Sequence, residues 1–103
     1  MRFLAALALL TCPGAAEELR LFVAGLGGEP DYETRFSNLA REGAKLAGGQ
    51  ALTGAEASKG KLQAALAAAS RLTPADSFTL VLIGHGTWDG VNYRFNLPGP
   101  DVT

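Results

Sequence analysis

The residues best suited to chemistry in this sequence are its only histidine, His85, and the glycines on either side, Gly84 and Gly86. They directly follow the apolar run 78–83, which predicts a buried strand. With no side chain on either neighbour, an imidazole at the end of a strand is open to a substrate. Histidine is also the side chain that most readily exchanges protons near neutral pH. The pattern therefore predicts an acid–base site at the end of a sheet.

The sequence offers this base no nucleophile. Its single cysteine, Cys12, lies in the N-terminal segment, far from the histidine. Without that segment the chain has no cysteine, which excludes disulfides and cysteine-metal sites. A lone histidine also argues against a histidine-metal site, so we expect no metal and no cofactor. The acidic residues Glu29, Asp31 and Glu33 are more typical of a helix start than of a metal site.

The first half of the chain predicts a strand, a helix and a weak second strand. The strand covers 19–25 and ends in a glycine-rich turn, after which Asp31 is expected to cap the helix. Apolar residues then recur at helical spacing until Gly48 and Gly49 end the segment. The weak strand is 50–52, which lacks β-branched residues.

The second half predicts another helix, the strand before the histidine and a hairpin-like piece. Thr53 or Ser58 is expected to cap this helix, whose narrow, alanine-rich apolar face extends from Leu62 to Leu72. The strand 78–83 follows, and 91–96 is the hairpin-like piece. In this region Tyr93, Phe95 and Leu97 alternate and are expected to pack on the core, whereas Trp88, Asp89 and Gly90 are expected to form the loop behind the histidine.

Alternation of strands and helices is typical of an α/β fold with a mostly parallel sheet. We therefore predict a three-layer αβα sandwich in which His85 lies beyond the carboxyl ends of the strands, where functional groups collect in such sheets. Three strands leave one sheet edge open. We expect residues 17–103 to be the N-terminal part of a longer domain that supplies the next strand.

Residues 1–16 have the layout of a secretory signal. Arg2 provides the positive start, 3–10 is an uncharged apolar run, and small residues precede a predicted cleavage before Glu17. The predicted location is periplasmic or secreted. The alternative is a lipoprotein acylated on Cys12, although Thr11 fits poorly before a lipidated cysteine.

Charge and hydropathy exclude two further classes of partner. After removal of Arg2, eight basic and ten acidic residues remain, scattered without a basic face, so nucleic-acid binding is not expected. No second long apolar run follows the signal. We therefore expect no membrane association once the signal is cleaved.

The stretch from Pro74 through the apolar strand to Gly84-His85-Gly86 resembles the caspase-like fold, and in particular the legumain-type cysteine peptidases. The preceding strand–helix–strand–helix order agrees, so the resemblance covers most of residues 19–97. The strand end 23–25 and Arg35 on the next helix are also similar to the opening of legumain-type members. The expected partner is a peptide or protein substrate.

The resemblance implies a role for three residues. His85 would be the acid–base partner of a cysteine on the next strand, the backbone N–H of Gly86 would help hold the oxyanion, and Arg35 would help shape the substrate pocket. Glycine suits the second role because it leaves its N–H unobstructed. The 103 residues alone are expected to be inert as a peptidase. Aspartate is usual in this family where Gly84 stands, so asparagine-specific cleavage is not inferred.

Other interpretations of the histidine motif remain open. One is a non-catalytic binding or scaffold domain of the same fold. Another is the oxyanion loop of an α/β-hydrolase, although no Gly-x-Ser-x-Gly elbow is present. A third is a sirohydrochlorin-type metal chelatase, which requires a second histidine, and the last is a surface-loop histidine without chemistry. Asp89 either orients His85 or serves an ordinary turn. The turn 25–28 is only part of a dinucleotide-binding motif, since Pro30 stands where its third glycine belongs.

Overall fold

The computed structural model describes residues 16–103. The described residues alternate strands and helices and end in a hairpin. In chain order the elements are β1 (Glu18–Ala24), α1 (Pro30–Ala47), β2 (Gln50–Leu52), a 3₁₀ turn (Gly54–Glu56), α2 (Lys59–Ala69), β3 (Ser77–Ile83), β4 (Gly86–Trp88) and β5 (Tyr93–Phe95).

The first three strands form one parallel sheet in the order β2-β1-β3. Along the β1–β3 pair, Leu21 lies opposite Leu80 and Val23 opposite Leu82. Strands β4 and β5 form a separate antiparallel hairpin in which Gly86 lies opposite Phe95. The predicted α/β class, parallel sheet and weak strand β2 are confirmed, whereas β4 is a strand in a region that the sequence predicts to be loop.

The two helices cover opposite faces of the sheet. On one face α1 packs closely against β1. Gly43 of α1 allows this approach, because a Cβ at its position would lie only 2.7 Å from the ring of Phe22 in β1. On the other face α2 contributes one buried side chain to the main core. That core contains Leu21, Val23, Leu52, Ala57, Leu62, Phe95 and Leu97.

The N-caps of the two helices contradict one prediction from the sequence and decide between two alternatives in another. Asp31 is not the cap of α1, because the helix begins at Pro30, a residue suited to the first helical position, and Glu29 is the N-cap. Asp31 lies in the first turn instead, where a negative charge is favourable. Of the two candidate caps for α2, Ser58 is the one used, and its hydroxyl accepts a hydrogen bond from the Lys61 N–H at 3.2 Å.

The prediction that the strand before the histidine is buried is wrong. Among the described residues, β3 lies at an edge of the sheet with only β1 beside it, and Leu80 and Leu82 are 37% and 42% exposed. Among residues 16–103 nothing covers these two side chains fully. An apolar run shows that a strand can be buried, but it does not identify the neighbour that buries it.

The predicted signal segment, with Arg2 and Cys12, lies outside the described residues. Within residues 16–103 neither helix has the length and apolar character needed to cross a membrane.

Candidate functional site

His85 lies beyond the carboxyl ends of β1 and β3, as the sequence predicts. These strands end side by side, with Ala24 opposite Ile83. The N–H of Gly25 donates a hydrogen bond of 2.8 Å to the carbonyl of Ile83, which carries the pairing one residue past the strands. The exposed imidazole follows two residues later. Sheet pairing therefore fixes the base of the loop that carries the histidine.

The backbone of Asn96 holds this loop in place. Its N–H donates to the carbonyl of His85 at 3.0 Å, while its own carbonyl accepts from the Leu26 N–H at 2.8 Å. Asn96 thus joins the loop after β3 to the loop after β1. Its side chain continues the network, accepting from the Thr87 hydroxyl at 3.2 Å and donating to the Asp101 carboxylate at 3.1 Å. No pattern in the sequence pointed to this role.

The ring of Phe95 explains the glycine before the histidine. A Cβ on Gly84 would lie 3.1 Å from this ring, and a Cβ on Gly25 would lie 2.7 Å from it. The two glycines therefore let a buried aromatic ring pack beneath the site. An aspartate at position 84 would require the ring to move.

The N–H of Gly86 points away from the hairpin. In antiparallel sheets, hydrogen-bonded residue pairs alternate with non-hydrogen-bonded pairs. The bond from Asn96 to His85 and the bond from Asp89 to Asn92 identify the hydrogen-bonded pairs of this hairpin. By alternation the pair Gly86–Phe95 is not hydrogen-bonded. The Gly86 N–H is therefore directed to the side away from β5, where a bound group can accept its hydrogen bond.

Tyr93 lies across the face of Gly86. A Cβ on this glycine would collide with the Tyr93 hydroxyl and ring. Glycine at this position is therefore required by the packing of the hairpin. Of the alternating residues expected in the core, Phe95 and Leu97 are buried, while Tyr93 is 55% exposed.

Two aromatic rings of α1 contact the imidazole. The ring centroids of Tyr32 and Phe36 each lie 5.2 Å from that of His85, with interplanar angles of 76° and 69°. These are edge-to-face contacts, a favoured geometry for aromatic pairs. Neither residue was among those predicted for the site. The available signal was their spacing of four residues, which places them on one face of the helix that follows β1.

Arg35 belongs to the same cluster through Tyr32. Its guanidinium carbon lies 5.5 Å from the centroid of the Tyr32 ring, within the range of a cation–π contact. The structure therefore brings the predicted Arg35 and His85 into contact with the same tyrosine, at the same end of the sheet.

Asp89 does not orient His85. One of its carboxylate oxygens accepts from the N–H groups of Val91 and Asn92, at 2.8 and 2.7 Å, and the other accepts from Arg94 at 2.6 Å. The backbone N–H of Asn92 and then that of Val91, followed by the Arg94 side chain, lower the pKa of this carboxyl. Asp89 thus serves the hairpin turn. Within residues 16–103 the imidazole of His85 has no hydrogen-bonding partner.

The glycine-rich turn after β1 is occupied by a carboxylate of this chain. The Glu33 side chain accepts from the N–H groups of Gly27 and Gly28, at 2.5 and 3.3 Å. A phosphate would need these same donors. The arrangement therefore disfavours a dinucleotide site and instead ties the turn to the first turn of α1.

A cavity of about 270 Å³ lies at the other end of the sheet, near the start of β1. Its wall includes Arg20, Gly49, Ala65 and Phe78. The guanidinium of Arg20 is already engaged, by the Glu18 carboxylate and by the Ala47 carbonyl at 2.9 Å. This cavity is separate from the histidine loop, and its one described cation has partners within the chain.

In the described part of the chain, no three histidine, cysteine, aspartate or glutamate side chains are grouped so as to hold a metal ion. Comparisons with family models, curated proteins and solved structures found no match for this chain. The interpretation of the site therefore depends on its own geometry.

Proposed function

We propose that this chain is the histidine-bearing part of an exported cysteine peptidase of the caspase-like, legumain type. His85 is the acid–base residue, the Gly86 N–H binds the oxyanion, and the cysteine is supplied by polypeptide beyond Thr103. One observation carries the proposal: an exposed imidazole at the carboxyl end of a parallel sheet lies next to a glycine N–H that is directed away from its own hairpin.

These two groups match the steps of thiol-dependent peptide cleavage. The imidazole accepts the thiol proton, and the resulting thiolate attacks the scissile carbonyl carbon. Negative charge then develops on the carbonyl oxygen, where the N–H of Gly86 can donate a hydrogen bond. The imidazolium returns its proton to the leaving amine. Water afterwards hydrolyses the acyl-enzyme, again with His85 as the base.

The sheet order supports the predicted position of the nucleophile. In the described part of the chain no strand pairs with the outer edge of β3, and β1 occupies its other edge. A further parallel strand at the free edge would end beside the loop that carries His85, because parallel strands have their carboxyl ends at the same side of the sheet. A cysteine at that end would be within reach of the imidazole.

The substrate side of the proposal concerns Arg35. Its guanidinium is exposed and stacked on Tyr32, one ring away from His85. Such a group binds carboxylate or carbonyl oxygens of a peptide. Asparagine specificity is not proposed, since glycine occupies position 84 and Phe95 fills the space beside it.

The test is labelling of the full-length protein with a thiol-directed electrophilic probe near neutral pH. We expect His85→Ala to slow labelling by about 100-fold or more, because the base that forms the thiolate is lost. Gln63→Ala, on the exposed surface of α2, is the matched control and should label at the original rate. An unchanged rate in His85→Ala would remove the histidine from the mechanism.

A second candidate, a binding or scaffold domain of the same fold, is favoured by the exposed edge of β3. This seven-residue strand carries no charge, and Leu80 and Leu82 are partly exposed. Such an edge can bind an extended peptide as an added strand. Leu82→Lys would then abolish binding of the peptide while His85→Ala leaves it intact. If the protein is a peptidase instead, His85→Ala should impair its function more than Leu82→Lys does.

The proposed export can be tested separately from the peptidase activity. Among residues 16–103, the carbonyl of Glu17 accepts from the Ser77 N–H at 2.9 Å, so a cut before Glu17 keeps this bond and strands β1 to β3. N-terminal sequencing of material secreted by expressing cells should begin near Glu17. Secreted material that begins at Met1 would contradict the signal interpretation.

A further inference from the structure

The orientation of the His85 ring has an unusual source. Acid–base histidines are commonly oriented by a carboxylate that accepts a hydrogen bond from the second ring nitrogen. Here the nearby Asp89 is used by the hairpin turn, and no hydrogen bond to the imidazole is present within residues 16–103. The close contacts of the ring are aromatic instead.

Tyr32 and Phe36 contact the imidazole as a pair. They lie one helical turn apart on α1, with ring centroids 5.8 Å from each other and 5.2 Å from that of His85. All three separations fall within the range of about 4.5–7 Å favoured by aromatic pairs. One edge-to-face contact leaves a ring free to turn about the contact axis. Two contacts from different directions restrict that rotation.

The aromatic pair is itself held in place relative to the sheet. Glu33, next to Tyr32, accepts hydrogen bonds from the turn after β1. Gly27 in this turn approaches α1 so closely that a Cβ would lie 2.5 Å from the Glu33 nitrogen. The start of α1 therefore cannot shift without displacing the end of β1. Because β1 pairs with β3, the aromatic rings and the histidine loop share one rigid base.

From this geometry we infer that Tyr32 and Phe36 are positioning residues, which fix the plane of the His85 imidazole by packing where a carboxylate would otherwise fix it by hydrogen bonding. The catalytic consequence rests on the proposed peptidase function. The structural consequence, that the imidazole is held in one orientation, does not depend on that function.

The first test measures the NMR signals of the His85 imidazole. Because His85 is the only histidine, its ring-proton NMR signals in the histidine-labelled chain are unambiguous. Ring currents of the two aromatic neighbours displace these signals from the positions of a free imidazole. We expect Tyr32→Leu and Phe36→Leu each to move them toward the free positions, and Tyr32→Phe to retain them. Leu46→Ala, at an 83% exposed position of the same helix, is the control and should change nothing.

Folding is checked in the same samples through the backbone amide spectrum. Tyr32 is 38% exposed, so its replacement is the safer variant should Phe36→Leu fail to fold. Ring signals that stay in place in folded Tyr32→Leu would overturn the inference.

The second test separates this inference from the proposed function. In the full-length protein, loss of both aromatic rings should slow thiol labelling roughly 10–100-fold, as expected for a displaced catalytic group. A variant that keeps one ring, Tyr32→Phe combined with Phe36→Leu, should recover part of that rate. Failure of the unaltered protein to label would count against the peptidase, while the NMR result would still decide whether the two aromatic rings contact the imidazole in solution. Labelling at the original rate in variants whose imidazole signals have moved would refute the positioning role.

Discussion

The two edges of the parallel sheet differ in how they are protected. β2, at one edge, is only three residues long, and its inward side chain, Leu52, is 7% exposed. β3, at the other edge, is seven residues long and uncharged, and Leu80 and Leu82 are 37% and 42% exposed. Short strands are one of the devices by which proteins protect sheet edges. β2 uses it and β3 does not.

The open edge lies on the side of the sheet that carries the histidine. The exposed edge belongs to the strand that leads into Gly84, His85 and Gly86. A strand that docked there would reach the imidazole, whereas a strand added beside β2 would be separated from it by two strands. Both candidate functions, the peptidase and the binding domain, therefore use the β3 edge.

The largest expected effect compares one leucine at each edge. Leu52→Ala in β2 should lower the free energy of unfolding by about 2–4 kcal/mol, because it opens a cavity in the core. Leu82→Ala in β3 should cost about 1 kcal/mol or less, since much of this side chain already contacts solvent. Urea denaturation of the two variants measures both values. Equal losses would mean that Leu82 is covered in solution and that the β3 edge is not open.

The next effect concerns self-association. An uncharged, exposed edge strand pairs readily with other chains. We expect the 103-residue chain to form larger species with increasing concentration in sedimentation velocity. Leu80→Lys should suppress them, because it places a charge on the exposed strand.

The matched substitution at the other edge is Gln50→Lys, which adds the same charge to an exposed position of β2. It should leave association unchanged. If the unaltered chain stays monomeric, or if both lysine substitutions suppress association equally, the β3 edge is no more open to pairing than the β2 edge.

The order of the strands and helices could be predicted because each element carries a local signal. The apolar run 78–83, the spacing of apolar residues in α1 and the cap at Ser58 all act over a few residues. The position of His85 followed from the general rule for parallel sheets. The prediction of a buried β3 is wrong because burial depends on neighbours that a local pattern does not specify.

The surroundings of the histidine were harder to predict for a related reason. The sequence pointed to Asp89, four residues away, as a possible partner of the imidazole, yet this carboxylate closes the hairpin turn. The real neighbours, Tyr32 and Phe36, are about fifty residues earlier in the chain. Only the pairing of β1 with β3 brings them to the imidazole, and that register cannot be read from either strand alone.

The smallest expected effect lies at the amino end of β3, which, unlike its outer edge, is held firmly. The Asp76 carboxylate accepts from the Thr73 N–H at 2.7 Å and from the Glu17 N–H at 2.6 Å. These bonds, the one from Thr73 first, lower the pKa of this carboxyl from 3.8. A lowered pKa in the folded state means that the stabilisation is complete above pH 3.8 and is lost as the pH falls through the lower folded value.

Asp76→Asn should therefore reduce stability slightly near neutral pH and flatten its decline in acid, whereas Glu42→Gln on the exposed side of α1 should do neither.

The hydrogen bond from the Glu17 N–H to the Asp76 carboxylate also makes a prediction about processing. Cleavage before Glu17 would turn its N–H into a charged amine beside Asp76, and a charge-assisted hydrogen bond is stronger than a neutral one. Urea midpoints at neutral pH should then be higher for a chain that starts at Glu17 than for one that starts at Ala16, and Asp76→Asn should abolish that difference. If the difference persists in Asp76→Asn, the carboxylate is not what ties the start of β1 to β3.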